Sequence, residues 1–191
     1  MATSPDGTLM RKNARANRER ILTAAEVVFG VSGELGSTED VAGRAGVGIA
    51  TVFRHFPTKD ALIEATLVRQ FDQLNERAAG LADEPDPGRA IRRLIAALIE
   101  TSSTKLTLIS LASKSGELPR AVLEATGKVQ ATIGDILARA KDKGAVAGDI
   151  TVEEFFVLVR GFAQAAAAMP GVPVTPDRAI EIICRGLAPV R

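Results

Sequence analysis

Apolar residues along the chain recur at spacings of three and four, the period of helices laid against a core, and no run of strict alternation marks a strand. Ile21, Ala25, Val28 and Phe29 form one apolar face of a first helix over about 15–30, which the glycine-rich GVSGELGS ends. Ser37 then offers an N-cap, with Asp40 at the position a capping box gives to Glu or Gln. The second helix is short, roughly 38–45, and stops at Gly46. A third, roughly 49–55, closes before Pro57, because proline disfavours helical geometry at Phe56. Thr58 caps a longer fourth helix with Ile63, Leu67, Phe71, Leu74 and Ala78 on one side.

ADEPDPG, residues 82–88, reads as a linker, with two prolines, a glycine and three acids. Ile91, Leu94, Ile95 and Leu98 mark a fifth helix, and residues 100–119 hold its end, one short helix and a loop. Val122, Val129, Ile133, Ile136 and Leu137 mark a long helix ending near Lys143-Gly144. Thr151 caps the next, whose face of Phe155, Val159, Phe162, Ala163 and Ala166 runs to Met169-Pro170. Ile180, Ile183, Cys184 and Leu187 give a last helix after Pro176. The pattern predicts an all-α protein of about nine helices.

Composition narrows the picture only slightly. Hydrophobic residues at 46% and charged residues at 25% are the balance of a globular protein. The start of the chain has no apolar leader segment, and no apolar run approaches the roughly 20 residues that span a bilayer. One cysteine excludes an internal disulfide framework and fits a reducing compartment. The expectation is a cytoplasmic protein with no membrane partner. Net charge is only +1, but residues 1–20 carry five basic residues against two acidic ones, while residues 61–191 balance. Residues 1–13 read as a disordered basic arm, which charge alone would equally describe as a solvated tail.

Catalytic chemistry finds little support. His55 is the sole histidine, so no histidine-based metal cluster or Ser-His-Asp triad can be assembled. GVGIAT lacks the third glycine and the preceding strand of a dinucleotide fingerprint. Glu153 and Glu154 are adjacent on a helix and do not face each other. No enzyme activity, metal or cofactor is expected.

Helices two and three, joined by a short turn at Gly46, have the outline of a helix-turn-helix over about 37–56. Ala42 is small where the helices approach, Gly46 can take the positive φ of the turn, and Val41, Ala45, Val47 and Val52 are apolar where packing is needed. Short apolar helices with a glycine turn also occur in plain bundles, so the spacing alone leaves both open. The outward positions of the third helix include Ile49, Ala50, Thr51, Arg54 and His55. Thr and Ala methyls suit thymine methyls in a major groove, and Arg54 and His55 suit phosphates. Lys59 opposes the dipole of the helix it opens, which suggests an external anion such as phosphate; a solvated lysine balanced by Asp60 is the alternative.

The stretches RERILTAAEVVF, GELGST, EDVAGRAGVGIATVFRHF and PTKDAL, spanning Arg18 to Ala65, resemble the DNA-binding domain of TetR-type transcriptional regulators. The resemblance covers about a quarter of the chain. It implies a helix-turn-helix domain over 14–60, a ligand-sensing and dimerisation domain over 61–191, and a homodimer that binds double-stranded operator DNA and an unknown small-molecule effector. By position it implies operator contacts from Thr38, Gly48, Ile49, Ala50 and Thr51, and phosphate contacts from Phe53, His55 and Lys59. The family usually has tyrosine where Phe53 stands and Ser or Thr where Gly48 stands. Those departures keep alive an alternative, a helical ligand-binding or scaffold protein that no longer binds DNA.

Polar groups within apolar helical stretches mark the expected ligand pocket: Thr101, Ser102, Thr107 and Ser110, Arg160 and Gln164, with Phe71 on the fourth helix. The bland reading of these residues is solvent exposure or bonding back to their own helix. Phe155, Phe162, Ala166, Ile180, Ile183, Cys184 and Leu187 mark the expected dimer seam, which by family analogy is a four-helix bundle of the last two long helices. An intrachain core would use the same pattern. Cys184, a lone cysteine on an apolar helical face, reads as inert rather than redox-active.

Overall fold

The computed structural model describes residues 5–113, 116–168 and 175–189, and among these there is no strand. The described helices are α1 (Pro5–Ser32), α2 (Thr38–Ala45), α3 (Ile49–His55), α4 (Lys59–Ala79), α5 (Pro87–Glu100), α6 (Ser102–Ala112), α7 (Arg120–Asp142), α8 (Val152–Ala168) and α9 (Pro176–Leu187), with a 3-10 turn at Gly33–Leu35. The protein is all-α, as the periodicity predicts. No single described helix is long and apolar enough to cross a membrane.

The bounds of α2 and α3 match those read from the sequence, because both ends are set by local chemistry. Those of α1 do not. It begins at Pro5, so residues 5–13, expected as a disordered arm, are helical. Proline suits a first helical position, where its missing N–H is no loss, and the run that follows is rich in Ala and Arg. This stretch lacks an apolar face, so periodicity could not find it. The predicted end of α8 at Met169-Pro170 lies outside the described residues.

Contacts divide the chain into two units, Met1–Arg69 with Thr104–Pro119, and Gln70–Ser103 with Arg120–Arg191. The first unit thus differs from the expected 14–60 domain by taking in half of α4 and most of α6. Ile21, Leu22, Ala25, Phe29, Val41, Val52, Leu62 and Leu67 are fully buried in it. α1 packs on both α2 and α3. Gly30 lets α6 come close, since a Cβ there would lie 2.8 Å from the Thr104 methyl. Arg69 of α4 ties back to α1: it donates to Glu26 at 2.7 Å and to the Thr23 hydroxyl at 2.9 Å, with Glu19 at 3.4 Å.

In the second unit α5 packs against α7, α8 and α9 around Leu94, Ile95, Ile133, Leu137, Phe155 and Leu187. Arg139 of α7 pins the turn before α5 by donating to the carbonyls of Leu81 and Glu84, at 2.9 and 3.2 Å. Thr151 and Glu154 cap α8 reciprocally: Thr151 N–H donates to the Glu154 carboxylate, and Glu154 N–H to the Thr151 hydroxyl. The Thr151 backbone N–H, and after it the Thr151 hydroxyl, hold the Glu154 carboxyl below the usual carboxylate range.

Candidate nucleic-acid interface

Three local devices fix α2 and α3 relative to each other. A capping box starts α2: Asp40 N–H donates to the Ser37 hydroxyl at 3.0 Å, and Ser37 N–H donates to the Asp40 carboxylate at 3.1 Å. The Ser37 hydroxyl also donates to that carboxylate at 2.7 Å, which with the backbone bond holds Asp40 below the usual carboxylate range. Asp therefore fills the place expected of Glu or Gln. At the other end Gly46 sits at φ 62°, ψ 41°, and its N–H and that of Val47 return to α2 carbonyls. The third device was not legible in the sequence. Arg20, twenty-five residues away on α1, donates from Nη2 to the carbonyls of Ala45 and Gly46, the latter at 2.9 Å. A cation on the last carbonyls of α2 satisfies orphan acceptors and complements the helix dipole.

α3 is anchored from one side only. Val52 is fully buried and Phe56, its C-cap, is 4% exposed. Gly48, Ile49, Ala50, Phe53 and Arg54 are exposed, and Thr51, His55 and Lys59 are partly exposed. Eight of the nine expected DNA-contacting positions are thus displayed. Thr38 is the exception: it is buried in the first turn of α2, where its hydroxyl donates to the Glu39 carboxylate at 3.2 Å. Gly48 is the N-cap of α3 without a side-chain bond, and a Cβ there would meet nothing within 4 Å. The serine usual at this position would fit, so internal packing does not require the glycine.

Lys59 corrects a reading. Its ammonium donates to the Glu34 carbonyl at 2.9 Å and lies 5.5 Å from the centre of the Phe29 ring. This cation therefore has an internal reason to open α4: it closes the turn after α1. An ammonium has three donors, and a carbonyl takes one. Further positive charge surrounds the motif, with Arg44 exposed in the last turn of α2, and Lys12, Arg15 and Arg18 exposed on α1 rather than on a coil. Arg18 also lies over the Phe56 ring at 5.3 Å.

The expected ligand-pocket residues do not share one environment. Thr107 and Ser110 belong to the first unit, with Ser110 exposed. In the second, Phe71 is buried, while Thr101 and Ser102 donate back to the carbonyls of Ala97 and Ile99 at 2.9 and 2.7 Å. Arg160 and Gln164 face solvent, because the buried stripe of α8 is Phe155, Val159 and Ala163, one position away. A polar group that sequence reading missed is Gln70. It is 5% exposed, and its Oε1 has no hydrogen-bond partner among the described residues. A buried acceptor without a donor calls for a specific explanation.

The expected dimer seam is corrected likewise. Phe155, Ile180 and Leu187 are buried inside the chain itself, so they cannot also form a contact surface. Phe162, Ile183 and Cys184 are partly exposed, and the side chain of Ala166 lies outside the described residues. The apolar side chains that α8 and α9 leave in water are Val157, Leu158 and Ile182, at 70%, 50% and 52% exposure. Burial raises the Cys184 thiol pKa, which disfavours the reactive thiolate.

Residues 21–66 match the family described as bacterial regulatory proteins, tetR family, and residues 86–189 match the family described as transcriptional regulator SbtR-like, C-terminal domain. No curated protein matches the sequence. Among solved structures, a TetR transcriptional regulator from Streptomyces coelicolor is 28% identical with a TM-score of 0.76, over 91% of this chain and 99% of that one. A TetR regulatory protein from Mycobacterium vanbaalenii is also 28% identical, with a TM-score of 0.74 over 94% and 99% of the two chains. A transcriptional regulator from Rhodococcus is 25% identical, with a TM-score of 0.71 over 89% and 95%.

Proposed function

The chain belongs to the TetR family of bacterial transcriptional regulators, and we propose that it is a ligand-responsive repressor that binds a palindromic operator as a homodimer. The observation that carries this reading is the α2–α3 pair, clamped by the Ser37–Asp40 box, Gly46 and Arg20 while Gly48, Ile49, Ala50, Phe53 and Arg54 remain exposed. In the proposed complex α3 lies in the major groove with Gly48, Ile49, Ala50 and Thr51 toward base edges. Arg54, His55 and the spare donors of Lys59 take phosphates, and Phe53, with no hydroxyl, cannot donate to one. Exposed Val157, Leu158 and Ile182 would be covered by the same surface of a second copy, with Phe162, Ile183 and Cys184 at its margin. Two half-sites about 34 Å apart, one helical turn of DNA, would then be read together.

Effector binding is assigned to the unit of Gln70–Ser103 and Arg120–Arg191, with the orphan carbonyl of Gln70 as the acceptor a ligand donor would satisfy. α4 begins at Lys59, beside the readout surface, and continues through Gln70 to Ala79. A ligand that favours another tilt of α4 would change the half-site spacing, and couplings of this kind are worth about 1–3 kcal/mol. Gln70→Leu is expected to leave operator affinity unchanged and to remove the response to effector. A normal response in that variant would exclude Gln70 from the ligand site.

The test of the reading is selection of fragments from the source genome by the full-length protein at a stated salt. The expected product is a palindrome whose binding weakens steeply with salt. Arg54→Ala should flatten the log–log salt slope by about 2, near one phosphate per protomer. Enrichment of no duplex by folded, dimeric protein would overturn the operator reading in favour of a ligand-binding protein without DNA affinity.

A further inference from the structure

The displayed face of α3 is apolar for an element read as meeting base edges. Helical rotation of about 100° per residue, with Val52 turned inward, carries Ala50 and Arg54 to the outward side, sets Thr51 and Phe53 on opposite flanks, and leaves Ile49 at the rim of the buried side. Phe53 is 43% exposed and Ile49 36% exposed, two large apolar side chains that the chain's own packing leaves in water. Between Gly48 and Phe53 the Thr51 hydroxyl is the one side-chain hydrogen-bonding group. Asn, Gln, Arg and Lys, which grip adenine or guanine edges in pairs of bonds, are absent from that stretch.

Such a surface has a restricted choice of partner in a major groove. Guanine and cytosine present no methyl group there, and setting their hydrogen-bonding groups against Ile49 or Ala50 strips water from them without return. Thymine presents a methyl group, which gains from contact with another apolar surface. The open space in front of Gly48 lets the start of α3 approach closely enough for short side chains such as Ala50 to reach it.

We infer that α3 reads its half-site through thymine methyl groups, with Ile49, Ala50 and Phe53 as the contacting side chains and an A·T-rich base-specific core as the result. Arg54 stands at the edge of this surface and is left to the backbone. The inference rests on the operator reading above and specifies which bases that operator carries.

Full-length protein is first used to select a site from random duplexes at fixed salt. Each half-site thymine is then replaced in turn by deoxyuridine, which keeps the A·U pairing edge and lacks only the methyl. Fluorescence anisotropy is expected to show about fourfold weaker binding for each contacted methyl, the effect of removing one buried CH2-sized group. Phe53→Ala and Ile49→Ala, at exposed positions that tolerate truncation, should each abolish the deoxyuridine effect at one position, a non-additivity that assigns the contact. Selection of a site whose affinity ignores every deoxyuridine, or whose core is G·C-specified, would overturn the methyl reading and leave the operator reading intact. Failure to enrich any duplex would overturn both.

Discussion

Leu158→Glu is expected to turn the protein into a monomer and to weaken operator binding by at least about a hundredfold, the loss that follows when two linked half-site contacts become one. Leu158 is half exposed on α8, beside Val157 at 70% and near the level of Ile182 on α9 at 52%. Truncating such residues would cost the fold of the single chain little, since each is at least half exposed on it. Adding a carboxylate is different: it would be buried without a partner in any interface that forms there, at a cost of several kcal/mol for each of two symmetry-related sites. Phe155 is the contrasting position on the same helix. It is fully buried in the chain, so Phe155→Ala should lower the melting temperature of monomer and dimer alike. Light scattering on the Leu158→Glu variant separates the two. A dimer of unchanged affinity for itself would place the subunit contact on another surface.

Arg69→Ala is expected to cost about 2 kcal/mol of stability in the first unit, less than the 3–5 kcal/mol of a fully buried pair because Glu26 and Glu19 retain water. The Arg69 side chain is 14% exposed, and it holds Glu26, Thr23 and Glu19 together across α4 and α1. Its removal leaves Glu26, whose side chain is 32% exposed, without its ion-pair partner. Arg69→Lys should recover under half of the loss, because a single ammonium cannot reproduce the planar fork that meets a carboxylate and a hydroxyl at once. Thermal melting provides the check. A shift of under a degree in Arg69→Ala would mean that the network merely decorates a helix pair held by its apolar contacts.

The sequence was most legible where structure is decided within a few residues. Ser37, Asp40 and Gly46 bound α2, and Pro57 and Thr58 separate α3 from α4, without any need for distant partners. Long-range side chains were not legible. Arg20 reaches the Ala45 and Gly46 carbonyls, Arg69 reaches Glu26, and Lys59 reaches Glu34, each across more than twenty residues that periodicity does not connect. The burial of Phe155, Ile180 and Leu187 was missed for a different reason. Periodicity finds the most apolar stripe of α8 and α9, and that stripe, with Phe155, Ile180 and Leu187, belongs to the chain's own core. What the two helices leave in water is a weaker second stripe, with Val157, Leu158 and Ile182. Arg160 and Gln164 stand one position beyond buried Val159 and Ala163 and face solvent.

The one-sided anchoring of α3 bears on how such a protein changes over generations. Val52 is its single buried residue, and the cap at Phe56 completes the attachment. The exposed side chains of the helix, Ile49, Ala50, Phe53 and Arg54, contribute little to folding, so substitutions among them pass through stability selection largely unseen. After a gene duplication, a copy could drift at Ile49, Ala50 or Phe53 and acquire a new binding site while every folding contact stayed intact. Promoters and regulators can therefore diverge in pairs on a scaffold that hardly moves.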